Sequence, residues 1–230
     1  MYEYGENMND ALEGLAILPP CEGDIEILQR DDSFLMINKP TRILSVPGRH
    51  PLNRDSVIAR LQKEYPNASI VHRLDFDTSG LMVVPLTKAA LSNISKQFQA
   101  RTVRKTYTAV VDGLVKNDSG VIDSPIAADE ENRPKYKVSD DGKKSITEFS
   151  VVSRDESANT TRVLLHPVTG RSHQLRLHMQ AIGHSILGCE FYASDTVKKK
   201  ADRLLLHATE LEFSHPLNNK LVFLTCTPSF

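Results

Sequence analysis

The amino-acid sequence predicts an α+β fold with a mainly antiparallel, mixed central sheet and flanking helices. Three observations carry that expectation. Segments with strand composition outnumber segments with helical periodicity. Strands and helices do not alternate along the chain, which argues against a doubly wound parallel sheet. Apolar segments meet at short polar turns such as Asp31-Asp32-Ser33 and Asn218-Asn219, the connections that antiparallel neighbours use.

The elements follow in order. IEILQRDDSFLMINKP (25–40) reads as a hairpin of two apolar strands. DSVIARLQKEY (55–65) reads as a helix capped by Asp55, with Val57, Ile58 and Leu61 on one face. LMVVPL (81–86) reads as a strand, and Thr87 caps a helix KAALSNISKQFQAR whose Leu91, Ile94 and Phe98 share a face. TYTAVVDGLV (106–115) alternates as a strand, and ITEFSVVSRD (146–155) pairs with TRVLLHPVTG (161–170). SHQLRLHMQAIG (172–183) reads as a helix ending in a glycine cap. LLLHATELEFSHP and KLVFLTCTP close the sheet.

Bulk properties narrow the class. A chain of 230 residues fits one large domain. Residues 1–23 read as a flexible acidic arm and residues 24–230 as a single catalytic domain. The arm is too short to fold as a separate domain. No apolar run is long enough to span a membrane, and the N-terminus has no basic-then-apolar signal pattern. Cys21, Cys189 and Cys226 are widely spaced, which suggests reduced thiols in a cytoplasmic protein. A monomer is expected. The net charge of −1 hides an asymmetry, because residues 1–26 hold seven acids and no Lys or Arg. The 29 acids less those seven leave 22 against 28 bases, a net of +6 on the body. That body can meet a nucleic acid, although a solvated surface accounts for the charge equally well.

The chemistry concentrates in VHRLDFDTSGLMVV (71–84). Dinucleotide, P-loop, zinc-protease and serine-hydrolase motifs are absent, and the histidines are scattered, so no metal and no cofactor is expected. Asp75 and Asp77 lie in a loop beside Arg73, ahead of Thr78-Ser79-Gly80. The residues alone leave two readings open: a capped turn, or a catalytic carboxylate on a loop held by a rigid scaffold.

HRLDFDTSGL (72–81) resembles the HRLDxxTSGL signature of the RluA family of pseudouridine synthases. INKP (37–40), RKTYTAVVDG (104–113), GRSHQLRLH (170–178), the stretch from Gly183 to Tyr192 and LLLHA (204–208) resemble further motifs of that family, in the same order. The likeness spans roughly residues 25–228. RPK (133–135) and LSVPG (44–48) resemble the members that act on both ribosomal RNA and tRNA. The resemblance implies a pseudouridine synthase catalytic fold and site-specific isomerisation of uridine in ribosomal RNA, tRNA or both. It implies base flipping and an aspartate-dependent rearrangement of the glycosidic bond.

The resemblance also assigns roles. Asp75 is the catalytic carboxylate, Arg171 its salt-bridge partner, and Tyr107 the active-site tyrosine. Arg73 fills the space left by the flipped base, His72 is counted with it on the substrate side, and Leu206 forms an apolar pocket wall. Arg104 and Lys105 are candidate phosphate contacts, with Lys96, Arg101, Arg133, Lys135 and Lys137. Plainer readings stand beside these: a surface arginine for Arg171, a strand tyrosine for Tyr107, a core leucine for Leu206. The sequence departs from the family where Arg42 replaces a glycine, and where Ser185 and Cys189 replace a proline and an aspartate; local loop geometry is where the effect is expected. Two rivals remain. A carboxylate glycosidase would need a second carboxyl group, for which Asp77 is the candidate, and the chain has no tryptophan for a sugar platform. A non-catalytic RNA-binding module would need the basic face but not Asp75.

Overall fold

A computed structural model describes residues 16–230. Eleven strands run through these residues: β1 Glu26–Arg30, β2 Phe34–Lys39, β3 Ser79–Pro85, β4 Arg104–Asp112, β5 Ser119–Asp123, β6 Ile126–Ala128, β7 Tyr136–Val138, β8 Ile146–Asp155, β9 Thr160–Pro167, β10 Leu206–Ser214 and β11 Leu221–Thr225. The helices are α1 Val57–Leu61, α2 Lys88–Ala100, α3 Gln174–Ala181 and α4 Asp195–Lys198. Nine strands form one sheet in the order β1-β2-β3-β10-β4-β9-β8-β5, with β11 also on β10; β6 and β7 form a separate hairpin. The expected α+β class holds. The sheet is antiparallel except where β10 meets β3, at His207–Ser79 and Ala208–Gly80.

Composition explains where the strands sit. β2 and β3 are almost continuously apolar and buried, as strands covered on both faces must be. α2 begins at Thr87, whose hydroxyl accepts from the Ala90 N–H, and it buries Ala90 and Ile94. α1 is shorter than expected. Its cap is Ser56 rather than Asp55, which instead pairs with Arg60. The helix cannot run through Tyr65, because the following Pro66 disfavours a helical conformation there. The short strands β5 to β7 and helix α4 were not read from the sequence, since a few residues carry too little periodicity to register.

Two core clusters divide the interior. One joins β1–β3, α1, α2 and the later part of β10; the other joins β4, β5, β8, β9, α3 and Leu206. Tyr107 packs against both. Gly80 lets β3 lie directly against β10. It has φ +112°, and a Cβ there would lie 2.3 Å from the Ala208 carbonyl oxygen, so only glycine fits.

Of the predicted flexible arm, residues 1–15 lie outside the described residues. Residues 16–23 are tied to the body rather than loose. Asn53 bonds the Ala16 carbonyl and the Leu18 N–H, and the Arg60 guanidinium donates to the Cys21 and Gly23 carbonyls at 2.6 and 2.7 Å.

Candidate active site

The loop carrying Asp75 runs from Val71 to Thr78 and leads into β3. Three neighbours from one segment hold its backbone. Ser45 exchanges two hydrogen bonds with Leu74, donating to its carbonyl at 2.9 Å and accepting from its N–H at 3.1 Å. The Lys39 ammonium donates to the Phe76 carbonyl at 3.2 Å, and the Thr41 hydroxyl to the Asp77 carbonyl at 2.8 Å. The stretch from Lys39 to Ser45, which spans parts of INKP and LSVPG, is therefore the clamp on the Asp75 loop. Lys39 is fully buried, and burial pulls its pKa down to about 7 against the pull of Asp75 and Asp77. Arg42, the departure in this segment, adopts φ 59° and donates to the Asp202 carbonyl at 3.0 Å. Its side chain joins this clamp to the loop before β10.

The partner of Asp75 is Arg176, with Nη1 to Oδ2 at 3.7 Å. Arg171 is not that partner, which corrects the expectation. Arg171 precedes α3, and its Nε donates to the Lys144 carbonyl at 3.3 Å. Arg176 lies within the helix, and its side chain is 2% exposed while that of Asp75 is 28% exposed. Burial alone would depress the Arg176 pKa, but Cys189, Asp75 and Asp77 outweigh it and hold it above the ordinary value. A sequence signal was present: an arginine between Leu175 and Leu177 on a helix needs a buried counter-charge.

Cys189 enters here as well. The Arg176 Nε donates to its sulfur at 3.3 Å. This departure therefore touches the ion pair itself and not only local loop geometry. Phe191 and Tyr192 cover the guanidinium, with ring centroids 5.1 and 5.3 Å from its carbon.

The rest of GRSHQLRLH positions the helix. Gln174 accepts from the Arg171 N–H and donates to the Ile146 carbonyl, while His178 bridges Thr147 and the Ser124 carbonyl. His173 sits in the left-handed region (φ 57°) with Nδ1 2.6 Å from the Tyr192 hydroxyl.

Tyr107 lies on β4 between Leu165 and Ala208. Burial and the Asp75 charge both push its pKa well above the usual phenol value. The hydroxyl therefore keeps its proton at neutral pH. Lys105, two residues earlier on the same face, is half-buried near His72, and burial lowers its pKa. Arg104 points to the opposite face of the sheet and sits 3.6 Å from Glu212, so it does not join Asp75. Arg73 is exposed at the loop.

His72 turns inward, contrary to the substrate-side expectation. Its Nε2 accepts from the Val83 N–H at 3.1 Å, and its ring stacks on Phe98 at 4.7 Å. Burial lowers its pKa to about 3. Leu206 is 3% exposed in the second core, behind Tyr107. Among the described residues no group of acidic, histidine or cysteine side chains has a metal-binding arrangement.

Residues 33–181 match the family model described as RNA pseudouridylate synthase. The chain belongs to that family. Among curated relatives, it is 50% identical over 218 residues to a dual-specificity RNA pseudouridine synthase RluA of Vibrio vulnificus (strain CMCP6), covering 92% of this chain and 87% of that one. It is 49% identical over 207 residues to the protein of the same name from Escherichia coli (strain K12), covering 89% and 94%. Among solved structures, human RNA pseudouridylate synthase domain containing 1 superposes with TM-score 0.78 at 28% identity, covering 92% and 86%. Human RNA pseudouridylate synthase domain containing 4 shares the fold, with TM-score 0.70 at 24% identity, covering 89% of each chain. The pseudouridylate synthase family thus accounts for the ordered motifs, and in this chain the Asp75–Arg176 pair links the loop before β3 to α3.

Proposed function

We propose that this chain isomerises uridine to pseudouridine in structured RNA, ribosomal RNA and tRNA both, with Asp75 as its catalytic carboxylate. One observation carries the assignment of Asp75. It is a partly exposed carboxylate set against a sealed arginine, on a loop clamped at three backbone carbonyls. The likeness to dual-specificity relatives supports two classes of RNA.

In the reaction the N1–C1′ bond of the uridine breaks and a C5–C1′ bond forms. N1 gains a proton, and the hydrogen first held by C5 is lost to solvent or a base. No atom is gained or lost overall. Asp75 must be charged to act at C1′, at the base or at the 2′ position. Arg176 favours that charge and fixes its direction. Tyr107 gives the detached uracil a ring to lie against, and its protonated hydroxyl is a donor at that ring's edge. Arg73 enters the stack that the flipped base leaves, a role its exposure on the loop supports. Lys105 offers a phosphate contact on the Tyr107 face. The chain works as a cytoplasmic monomer; the free, widely spaced cysteines support the reducing compartment.

The glycosidase alternative is not favoured. Its second carboxylate would be Asp77, and although a carboxyl raised by burial would suit a general acid, the family match and the named relatives support the isomerase. RNA labelled with tritium at uracil C5 separates the two. The isomerase releases about one label per modified site and no free uracil; free uracil without pseudouridine would refute the proposal.

A further inference from the structure

The rim of the site carries a cluster of aromatic rings, two of which cover Arg176. Phe191 and Tyr192 come from the loop after α3, His173 from the start of α3, and Tyr136 from β7. Phe191 and His173 have centroids 5.6 Å apart, and Tyr136 and His173 5.4 Å apart. The Tyr192 hydroxyl accepts from the Tyr136 N–H at 3.0 Å, so the β6–β7 hairpin and the loop are fixed to each other. Phe191 and Tyr136 belong to neither core cluster and remain half-exposed. On the hairpin Arg133 pairs with Glu130 and Lys137 with Asp129, while the Lys135 ammonium lies 6.0 Å over the Phe191 ring.

We propose that Phe191 is a stacking platform for the nucleotide beside the target uridine, and that Lys135 contacts the phosphate of that nucleotide. The inference rests on the RNA isomerase reading above and names a subsite of the same RNA. Arg176 links platform and chemistry, being 3.7 Å from Asp75 and 5.1 Å from the Phe191 centroid. A base lying on Phe191 is thus one guanidinium away from the carboxylate. The chain next to a flipped uridine must pass through that space, and its bases, no longer stacked on the flipped one, need another face.

Magnitudes favour the base over the lysine. An ammonium on an exposed ring gains roughly two- to fivefold in affinity, and a stacked base roughly five- to 150-fold. The base therefore displaces Lys135, whose flexible stem carries the charge to the adjoining phosphate.

Short RNA hairpins with one loop uridine that the parent protein converts provide the test. In matched hairpins the 5′ or the 3′ neighbour of that uridine is abasic. The parent should lose about tenfold in kcat/KM, through KM, on one of the two abasic RNAs. Phe191→Leu keeps an apolar cover over Arg176. It should lose about tenfold on intact RNA, again through KM, and nothing further on that abasic RNA. Phe191→Tyr should restore the parent values. Lys135→Gln should reduce the slope of log KM against log salt by about 0.7. Losses from Phe191→Leu and the abasic site that multiply would overturn the proposal, as would an unchanged KM. A fall in kcat alone would make Phe191 only a cover for Arg176. A parent protein that forms pseudouridine in no RNA would instead overturn the activity reading.

Discussion

The carboxylate and the cation of the site come from opposite halves of the sheet, and the halves hold them differently. The β1–β3 half presents Asp75 on a loop, tied down only through its backbone, with the side chain still open. The β4–β9 half presents Arg176 from inside a helix, with its side chain sealed by Cys189, Phe191 and Tyr192. The difference separates roles. A carboxylate that must meet a substrate needs a fixed backbone and a free oxygen. A cation that only sets the charge and direction of that carboxylate is best removed from water, where its field is less screened.

The largest test of this contrast is Asp75→Asn. The amide keeps the shape and removes the charge, so turnover should fall by more than about a thousandfold while RNA binding and the melting temperature stay near the parent values. Turnover within tenfold of the parent would remove Asp75 from the chemistry.

Arg176→Met strikes the other half. Methionine keeps the apolar stem and leaves Asp75 without its partner. Because Asp75 can still reach water, the damage should appear mainly in rate, about a hundredfold in kcat. Stability should fall by less than the roughly 3–5 kcal/mol that breaking a fully buried pair costs, because the Asp75 carboxylate left behind is partly exposed to water. A large stability loss with kcat preserved would make Arg176 structural.

His207 tests the seam between the halves. Its Nε2 faces the Cys226 carbonyl at 3.1 Å and must donate there, which leaves Nδ1 to accept from the Ser79 hydroxyl at 2.8 Å. Burial holds its pKa at about 4, below the ordinary 6.5. Between those values the unfolded chain binds a proton that the folded chain refuses. The stability contribution is therefore full above pH 6.5 and is lost as pH falls towards 4, by up to about 3 kcal/mol. Urea unfolding at pH 7 and pH 4.5 should show a smaller drop for His207→Gln than for the parent. Equal drops would exclude His207 as a source of acid sensitivity.

The smallest expected effect belongs to Arg171→Met. Because Arg171 bonds only a backbone carbonyl at the surface, kcat should stay within about threefold of the parent. A hundredfold loss here, with Arg176→Met active, would reverse the assignment of the ion pair.

The sequence by itself determined the α+β class, most long elements and the loop that bears Asp75. Those features are local: alternation, periodicity, caps such as Thr87, and a contiguous motif around one carboxylate. Tertiary structure decided which arginine faces Asp75. Arg171 and Arg176 stand in one motif five residues apart, and only the start of α3 at Gln174 sends one to a surface carbonyl and the other into the interior. It also decided that His72 turns inward, that Arg104 takes the far face, and that Cys189 lies against Arg176. Each of these depends on contacts between residues distant in the chain, across a sheet whose β3–β10 junction forms only when Gly80 meets Ala208. Local patterns record which face a residue takes within its own element. They do not record which element that face will meet, because that is set by the packing of the whole sheet.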